Sequence, residues 1–206
     1  MNLTIVRYII SWILRFEAFF LFLPALVGVI YQEWQDTGAY LLTALLCLIF
    51  SLLLCRKKPT MSGLYAREGF TSVALGWILL SLFGALPFVL SGDIPNYTDA
   101  LFEIISGFTT TGASILTNVE VLSKTNLFWR SFSHWIGGMG VFVFIMAILP
   151  LLGGSTMNLM RAESPGPSVG KLKPKVRDTA KILYQIYIAL TVIGTIALCL
   201  TGVSKA

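Results

Sequence analysis

Charged residues are scarce in this sequence of 206 residues, where only 12% are Asp, Glu, Lys or Arg and 56% are hydrophobic. A water-soluble domain of this size would not have enough polar side chains to cover its surface, whereas a lipid bilayer accepts apolar side chains on the outside of a protein. The mean hydropathy of +0.80 agrees with this interpretation. The composition therefore argues against a soluble domain and predicts a protein surrounded by membrane lipid.

The sequence is also poor in residues that carry enzyme or metal chemistry. It has one histidine, His134, and three cysteines, Cys47, Cys55 and Cys199, without the spacing of a metal site or a redox pair. The cysteines lie in or at the end of apolar runs, so we interpret them as small apolar side chains. The sequence also lacks a nucleophile–base set and a phosphate-binding loop. We therefore expect neither an enzyme nor a cofactor.

Long apolar runs are the most prominent feature that is present. A helix needs about 20 residues to cross a hydrocarbon core of about 30 Å. Five runs of about this length predict membrane-spanning helices at about residues 8–31, 39–55, 70–90, 128–152 and 180–202. Arg15 and Glu17 interrupt the first run, and we interpret them as interfacial or as paired with neighbours elsewhere, with an ion-relay role as the alternative.

The loop charges predict how the chain is oriented. Lys and Arg cluster at 56–67 and at 161–181, whereas the segments 31–38 and 91–127 are mostly acidic. Because cytoplasmic loops of membrane proteins carry an excess of Lys and Arg, we expect the basic segments and the N-terminus inside and the acidic segments outside. The net charge of +5 is thus explained by membrane topology, and we expect no nucleic-acid partner.

Between the third and fourth predicted spans lies an apolar stretch that is too short to cross. Asn96 or Thr98 can cap a helix there, Asp99 falls in its first turn, and the apolar pattern predicts a helix over 98–108. Such a helix covers about half of the hydrocarbon core, as a re-entrant pore helix does. The stretch 109–113, Thr-Thr-Thr-Gly-Ala, then returns from within the membrane, where non-helical backbone must be buried in protein or line a water-filled path.

The stretch 109–113 suits a cation that has lost its water. A dehydrated potassium ion needs a ring of oxygens, which successive backbone carbonyls can supply. Gly112 has no Cβ to obstruct a positive φ or a close approach to the ion, and the threonines offer carbonyls and hydroxyls. We therefore predict that an ion filter is formed by Thr109, Thr110, Thr111 and Gly112, with Ala113 in support.

Two acidic residues of the predicted pore helix can support the filter. The C-terminal end of the helix brings a partial negative charge to the filter, and Asp99 complements the opposite pole. For Glu103 three roles remain open, which are a negative potential at the entrance, a hydrogen bond to the filter backbone, or a structural anchor. In the next span, we interpret the run 137–140 as a close helix contact and His134 as an interfacial residue rather than a proton site.

Six short strings along the chain resemble one protein family. They are REGF at 67–70, GALPF at 84–88, SGFTTTGA at 106–113, WIGGMG at 135–140, AILP at 147–150 and RAESPGP at 161–167. In this order they resemble the TrkH branch of the Trk/Ktr/HKT potassium transporters, over essentially the whole chain. Two extra spans before the first pore loop favour this branch over the related KtrB proteins.

The resemblance implies an all-α membrane protein whose membrane–pore loop–membrane modules surround one pore, four modules in pseudo-fourfold symmetry. It divides the chain into a two-helix N-terminal membrane region at 1–60, a first module at 61–153, a cytoplasmic basic loop at 154–178 and the first helix of a second, incomplete module at 179–206. Within the first module, the family's ion-binding positions fall on Thr110 and Thr111, with Thr109 and Gly112 adjacent.

The function implied by the resemblance is potassium transport by the pore-forming subunit of a Trk-type uptake system in the bacterial inner membrane. It also implies a homodimer and a cytoplasmic nucleotide-binding regulatory subunit of the TrkA type, which the basic loop 161–181 is a candidate to contact. The alternatives are a truncated, non-conducting membrane scaffold and a KtrB-like, sodium-dependent transporter subunit. Three further threonine–glycine pore loops beyond Ala206 would favour the transport subunit over the scaffold.

Overall fold

The computed structural model describes residues 2–55, 66–140 and 176–201, and these residues form helices without a β-strand among them. In chain order the helices are α1 (Leu3–Tyr31), α2 (Trp34–Leu54), α3 (Ala66–Gly84), α4 (Leu86–Ser91), α5 (Tyr97–Phe108), a 3-10 turn (Val119–Val121), α6 (Lys124–Met139) and α7 (Val176–Leu200). The predicted all-α class is confirmed.

Four stretches of the described residues are long and apolar enough to cross a membrane. They are Leu3–Tyr31, Trp34–Leu54, Arg67–Ser91 and Lys181–Leu200. These stretches coincide with four of the five predicted spans. Helix α6 forms the beginning of the remaining predicted span, 128–152, whose residues 141–152 lie outside the described residues. Most of the two predicted basic loops, at 56–65 and 161–175, also lies outside them.

Helices α1 and α2 form a tight antiparallel hairpin. The chain turns at Gln32, which adopts a left-handed conformation with φ 61°. A Cβ on Gly28 would overlap with the Thr37 hydroxyl, so glycine is needed for the two helices to approach this closely. Further along, Arg15 Nε donates a hydrogen bond of 2.8 Å to Ser51 Oγ. This contact gives Arg15 the partner on another helix that the sequence analysis anticipated.

The third span is interrupted between α3 and α4. Pro87 lies in the first turn of α4, where its missing N–H is tolerated. The interruption leaves the carbonyl of Gly84 without a regular helical donor, and Trp129 Nε1 of α6 donates to it at 2.9 Å. The buried Trp129 ring thereby fixes α6 against the point where the span breaks.

Two acidic residues from different loops hold the N-terminus of α6. The Glu33 carboxylate accepts hydrogen bonds from the N–H groups of Lys124 (3.0 Å) and Thr125 (2.9 Å), and Asp93 Oδ2 accepts one from the N–H of Ser123 (2.8 Å). Carboxylates at this position satisfy free N–H groups and complement the helix dipole. The contacts place the two acidic segments, 31–38 and 91–127, on the same side of the helix layer.

The protonation of Glu33 follows from this capping role. Burial raises the pKa of its carboxyl group, but the hydrogen bonds from the Thr125 side chain and from the N–H groups of Thr125 and Lys124 outweigh burial and lower the pKa below its usual value.

At the opposite side of the layer, the N–H of Asn2 donates to Glu68 Oε1 at 3.0 Å. The N-termini of α1 and α3 therefore lie together, as alternating spans require.

Candidate ion filter

Helix α5 has the position and length of the predicted pore helix. It spans Tyr97–Phe108, one residue longer than the predicted 98–108. Of the two candidate caps, the structure selects Asn96, whose side chain accepts a hydrogen bond of 3.0 Å from the N–H of Thr98. Asp99 lies in the first turn, and the helix ends immediately before Thr109. The C-terminal pole of its dipole is therefore directed at the threonine run.

Two glycines allow α5 and α6 to pack closely beside the threonine run. A Cβ on Gly107 of α5 would overlap with the Ser133 hydroxyl of α6, and a Cβ on Gly137 of α6 would overlap with the carbonyl of Phe108. A Cβ on Gly138 would likewise meet the Tyr187 hydroxyl of α7. These contacts support the interpretation of the run 137–140 as a close helix contact.

The backbone of the threonine run turns sharply. Thr109 caps α5 with φ −85° and ψ 0°, whereas Thr110 has φ 55° and Gly112 has φ 74°. A positive φ is free of strain for glycine, but it costs a β-branched residue about 1–3 kcal/mol. The N–H groups of Thr110 and Thr111 donate to the carbonyls of Gly107 (2.9 Å) and Ser106 (3.0 Å), and these bonds hold the strained turn on the end of α5.

Four successive carbonyl groups of this turn, those of residues 109–112, are left free. Within the part of the chain that the structure describes, none of them accepts a hydrogen bond, and all four residues are exposed. The next carbonyl differs, because Ala113 accepts a bond of 2.6 Å from Ser106 Oγ. Two of the hydroxyls are already engaged, since Thr109 Oγ1 donates to the Ile105 carbonyl and lies 2.8 Å from Thr111 Oγ1.

Glu103 fastens the chain that follows the threonine run. Its Oε1 accepts hydrogen bonds from the N–H of Ile115 (2.8 Å) and from the Ser114 hydroxyl, and its Oε2 lies 2.9 Å from Arg130 Nε. Its side chain is 1% exposed. Of the three roles considered for Glu103, this geometry matches a structural anchor that binds backbone just past Ala113, with its charge balanced by Arg130.

Asp99 and His134, the other predicted residues, have no hydrogen bond to the threonine run among the described residues. Asp99 is at the opposite end of α5, about 15 Å from Thr109 along the helix axis, so any effect of its charge is exerted at long range. His134 Nδ1 is hydrogen-bonded to the carbonyl of Arg130 at 2.8 Å, and its side chain is half-buried. The ring lies beside Gly107 of α5, where a Cβ would be 3.5 Å from His134 Nδ1.

Sequence reasoning missed Ser106 and Arg130, which both tie the threonine run to the surrounding helices. Arg130 did give a signal, because it is the single charged residue within the predicted span 128–152, and an ionisable residue at membrane depth marks a functional or paired site. Ser106 gave none, since a serine in an apolar helix is common. Its partner becomes evident only once the chain has turned back.

Comparison with known proteins identifies the family of this chain. Residues 39–205 match the family model of TrkH, described as a cation transport protein. The chain belongs to the TrkH family. It is 44% identical over 184 residues to the Trk system potassium uptake protein TrkH of Salmonella typhimurium, which covers 87% of this chain, and 40% identical over 186 residues to that of Vibrio parahaemolyticus, which covers 88%.

The fold of this TrkH family member is also similar to a solved structure. The crystal structure of the potassium transporter TrkH from Vibrio parahaemolyticus aligns with a TM-score of 0.78 at 32% identity over 99% of this chain. The chain spans 38% of the length of each of the two curated relatives and 41% of the chain in the crystal structure. These relatives are transport proteins, which confirms the expectation that the chain is not an enzyme.

Proposed function

We propose that this chain is part of a potassium-uptake protein and contributes one strand of its ion filter, formed by Thr109, Thr110, Thr111 and Gly112. The observation that carries the proposal is the row of four free, exposed carbonyl groups at the C-terminal end of α5. Free carbonyls at this position have the chemistry needed to replace the hydration shell of a potassium ion.

The electrostatics of the site favour a cation. The carbonyl pole of α5 contributes roughly half a negative charge at its C-terminal end, beside Thr110 and Thr111, which are the proposed ion-binding positions. The nearby carboxylate of Glu103 is bound to Arg130, Ser114 and Ile115, so we propose that it does not coordinate the ion itself. In the proposal, backbone carbonyls coordinate K⁺, while Glu103, Ala113 and Asp99 support the strand or its helix.

The wider assembly is likewise a proposal, drawn from the family. In this proposal a two-helix region at 1–60 precedes the first of four modules at 61–153. A cytoplasmic loop at 154–178 then leads to the first helix of the second module at 179–206, which α7 overlaps. The many exposed apolar side chains of α7 support a place among further helices or lipid. We further propose the inner membrane of a bacterium, a cytoplasmic N-terminus, a homodimer and a TrkA-like regulatory subunit.

A second candidate function, a membrane scaffold that conducts no ion by itself, is favoured by the single filter strand within the described residues. A potassium ion needs oxygens all around it, and one strand supplies only one side of that ring. The two candidates are separated by transport measurements on the 206-residue chain and on a full-length protein that contains it. If this chain provides one strand of four, we expect potassium uptake by the full-length protein and none by the 206-residue chain.

The test of the filter assignment is Gly112→Ala in the full-length protein. Nothing lies within 4 Å of a Cβ at Gly112, so the substitution acts through its φ of 74° rather than through crowding among the described residues. We expect rescue of a potassium-uptake-deficient bacterium at low external potassium to fall, together with a loss of selectivity for K⁺ over Na⁺.

The matched control is Gly38→Ala. Gly38 also has open space around its Cβ position, but it lies within helix α2, where alanine is favoured. We expect full rescue for Gly38→Ala at equal expression. Undiminished rescue and unchanged selectivity for Gly112→Ala would remove the filter assignment.

A further inference from the structure

Glu17 is a buried carboxyl group that the proposed transport function does not use. Its side chain lies within helix α1 and is 1% exposed, and neither carboxyl oxygen has a hydrogen-bond partner among the described residues. By the rise of the helix it lies about 21 Å from Tyr31 at the end of α1, and therefore within a hydrocarbon core of about 30 Å. Buried polar groups without partners are rare and call for an explanation.

The surroundings of Glu17 are apolar. It borders a cavity of about 10 Å³, which is about the space that one water molecule needs. The other residues that line the cavity are Phe16, Phe20, Leu80, Phe108, Trp129 and Ile136. A carboxylate in this cavity would lose its hydration without a donor among the described residues to replace it, and this costs far more free energy than burying the neutral acid.

No charged group on the described part of the neighbouring helices compensates Glu17. On α1 itself, Arg15 is bonded to Ser51 of α2. The titratable groups on α2 are Asp36 and Tyr40 near its outer end, where the Tyr40 hydroxyl donates to Asn126, and the buried thiol of Cys47, which brings no positive charge to Glu17.

The remaining helices packed around Glu17 also direct their charges elsewhere. Helix α3 has Arg67 and Glu68 in its first turn, where Glu68 is bonded to the N–H of Asn2. The charged groups of α5 and α6 are Asp99 and Lys124 at the N-termini, and Glu103 and Arg130, which pair with each other. His134 of α6 is bonded to the carbonyl of Arg130.

The cavity connects Glu17 to the proposed filter. Phe108, which lines it, is the last residue of α5 and is followed directly by Thr109. A Cβ on Gly84 would lie 3.4 Å from Glu17 Oε1 and 3.4 Å from Phe108 Cε2, so the carboxyl group and the ring border the same space. The cavity holds at most about one water molecule, so the further water that a charged Glu17 needs has to displace a lining side chain, and Phe108 is the lining residue that adjoins the threonine run.

We infer that Glu17 is a proton-binding site coupled to the ion filter, occupied by a proton in this conformation and emptied only when water enters beside Phe108. The proton passes to that water, and the carboxylate left behind requires the cavity to open. Opening the cavity displaces Phe108 at the C-terminal end of α5, so loss of the proton disturbs the strand at 109–112. The inference rests on the proposed function, because its consequence is a change in potassium transport.

The proton itself is tested by infrared spectroscopy of the full-length protein in lipid vesicles. A protonated carboxylic acid in an apolar site has a C=O stretching band separate from that of a carboxylate. We expect this band at neutral pH in the unmodified protein, its loss in Glu17→Gln, and its retention in the control Glu120→Gln, which removes an exposed carboxylate. An identical band in the unmodified protein and in Glu17→Gln would overturn the inference.

The coupling is tested by the pH profile of rubidium uptake into vesicles of the same proteins. Uptake by the unmodified protein should fall by up to about tenfold per pH unit above the midpoint, as for the loss of one proton. Glu17→Gln imitates the protonated acid and should retain its uptake at alkaline pH. The same alkaline fall in Glu17→Gln overturns the coupling, whereas absence of uptake by the unmodified protein at every pH contradicts the proposed function and leaves the infrared result valid.

Discussion

Glu17 and Glu103 are both 1% exposed, but the surroundings of their carboxyl groups differ completely. Glu103 accepts hydrogen bonds from Ser114 and Ile115 and pairs with Arg130. Glu17 has apolar neighbours and no hydrogen-bond donor among the described residues. A carboxylate with sufficient donors stays charged and fastens the backbone, whereas one without donors is stable only as the neutral acid. The first is suited to anchoring the proposed filter, and the second to the proton binding that we infer.

The largest loss of stability is expected for Arg130→Leu, which removes the cation paired with Glu103. The substitution leaves the Glu103 carboxylate buried without its cation, and breaking a buried pair in this way costs about 3–5 kcal/mol. We expect a large fall in the thermal stability of the detergent-solubilised full-length protein, with loss of uptake. Lys124→Leu on the same helix, where the side chain is exposed, is the control and should change stability little. Equal stability of the two variants would show that the ion pair does not anchor the filter.

The next effect separates the two carboxyl groups directly. Glu103→Gln removes the charge that Arg130 pairs with, and hydrogen bonds to charged groups contribute about 1.5–3 kcal/mol each. Glu17→Gln removes no hydrogen bond among the described residues, so thermal stability at neutral pH should hardly change. The measurement is again thermal unfolding of the two full-length variants side by side. A similar loss in both variants would contradict the distinction between them.

A smaller effect is expected at Glu33, a carboxylate with donors that lies near water. Its pKa is lowered in the folded protein, because the bonds from Thr125 and Lys124 outweigh the effect of burial. The stabilisation is therefore present above the unfolded pKa of about 4.3 and is lost as the pH falls through the lower, folded value. Thermal stability measured from neutral to acidic pH should show this loss in the unmodified protein and a smaller one in Glu33→Gln. Parallel curves would contradict the capping role.

The smallest effect concerns a neutral cap, without any carboxyl group. Asn96→Ala removes the side-chain acceptor at the start of α5, and such caps contribute about 1 kcal/mol. We expect a slight fall in thermal stability with the K⁺/Na⁺ selectivity of uptake unchanged, because the cap is at the end of α5 away from Thr109. Changed selectivity would show that the start of α5 controls the proposed filter.

Most of the fold was predictable because it depends on local patterns. Apolar runs predicted the spans, and the short run ending at the threonines predicted α5 to within one residue. The break at Gly84 was missed because 70–90 is apolar throughout, although Pro87 was a local signal for it. The exact cap was decided by geometry, since both Asn96 and Thr98 have suitable side chains.

The contacts around the proposed filter were less predictable because they join distant parts of the chain. Arg130 is 27 residues from Glu103, and hydrophobic periodicity does not indicate which buried charges will meet. The same pattern could not distinguish Arg15 from Glu17, two charged residues in one apolar run. The structure gives Arg15 a bond to Ser51 and gives Glu17 an apolar cavity.

The sequence by itself determined that this protein lies in a membrane, that a short capped helix ends at the stretch 109–113, and that the chain resembles the TrkH branch. Composition and periodicity are sufficient for the first two conclusions, because the bilayer imposes length and polarity on each segment. The resemblance rests instead on six short strings in their order along the chain. Only the tertiary structure decided, among the described residues, which carbonyls are free, which donors surround Glu103 and why Glu17 has none. Those properties depend on how α1, α3, α5 and α6 pack, and packing brings together residues that no local pattern connects.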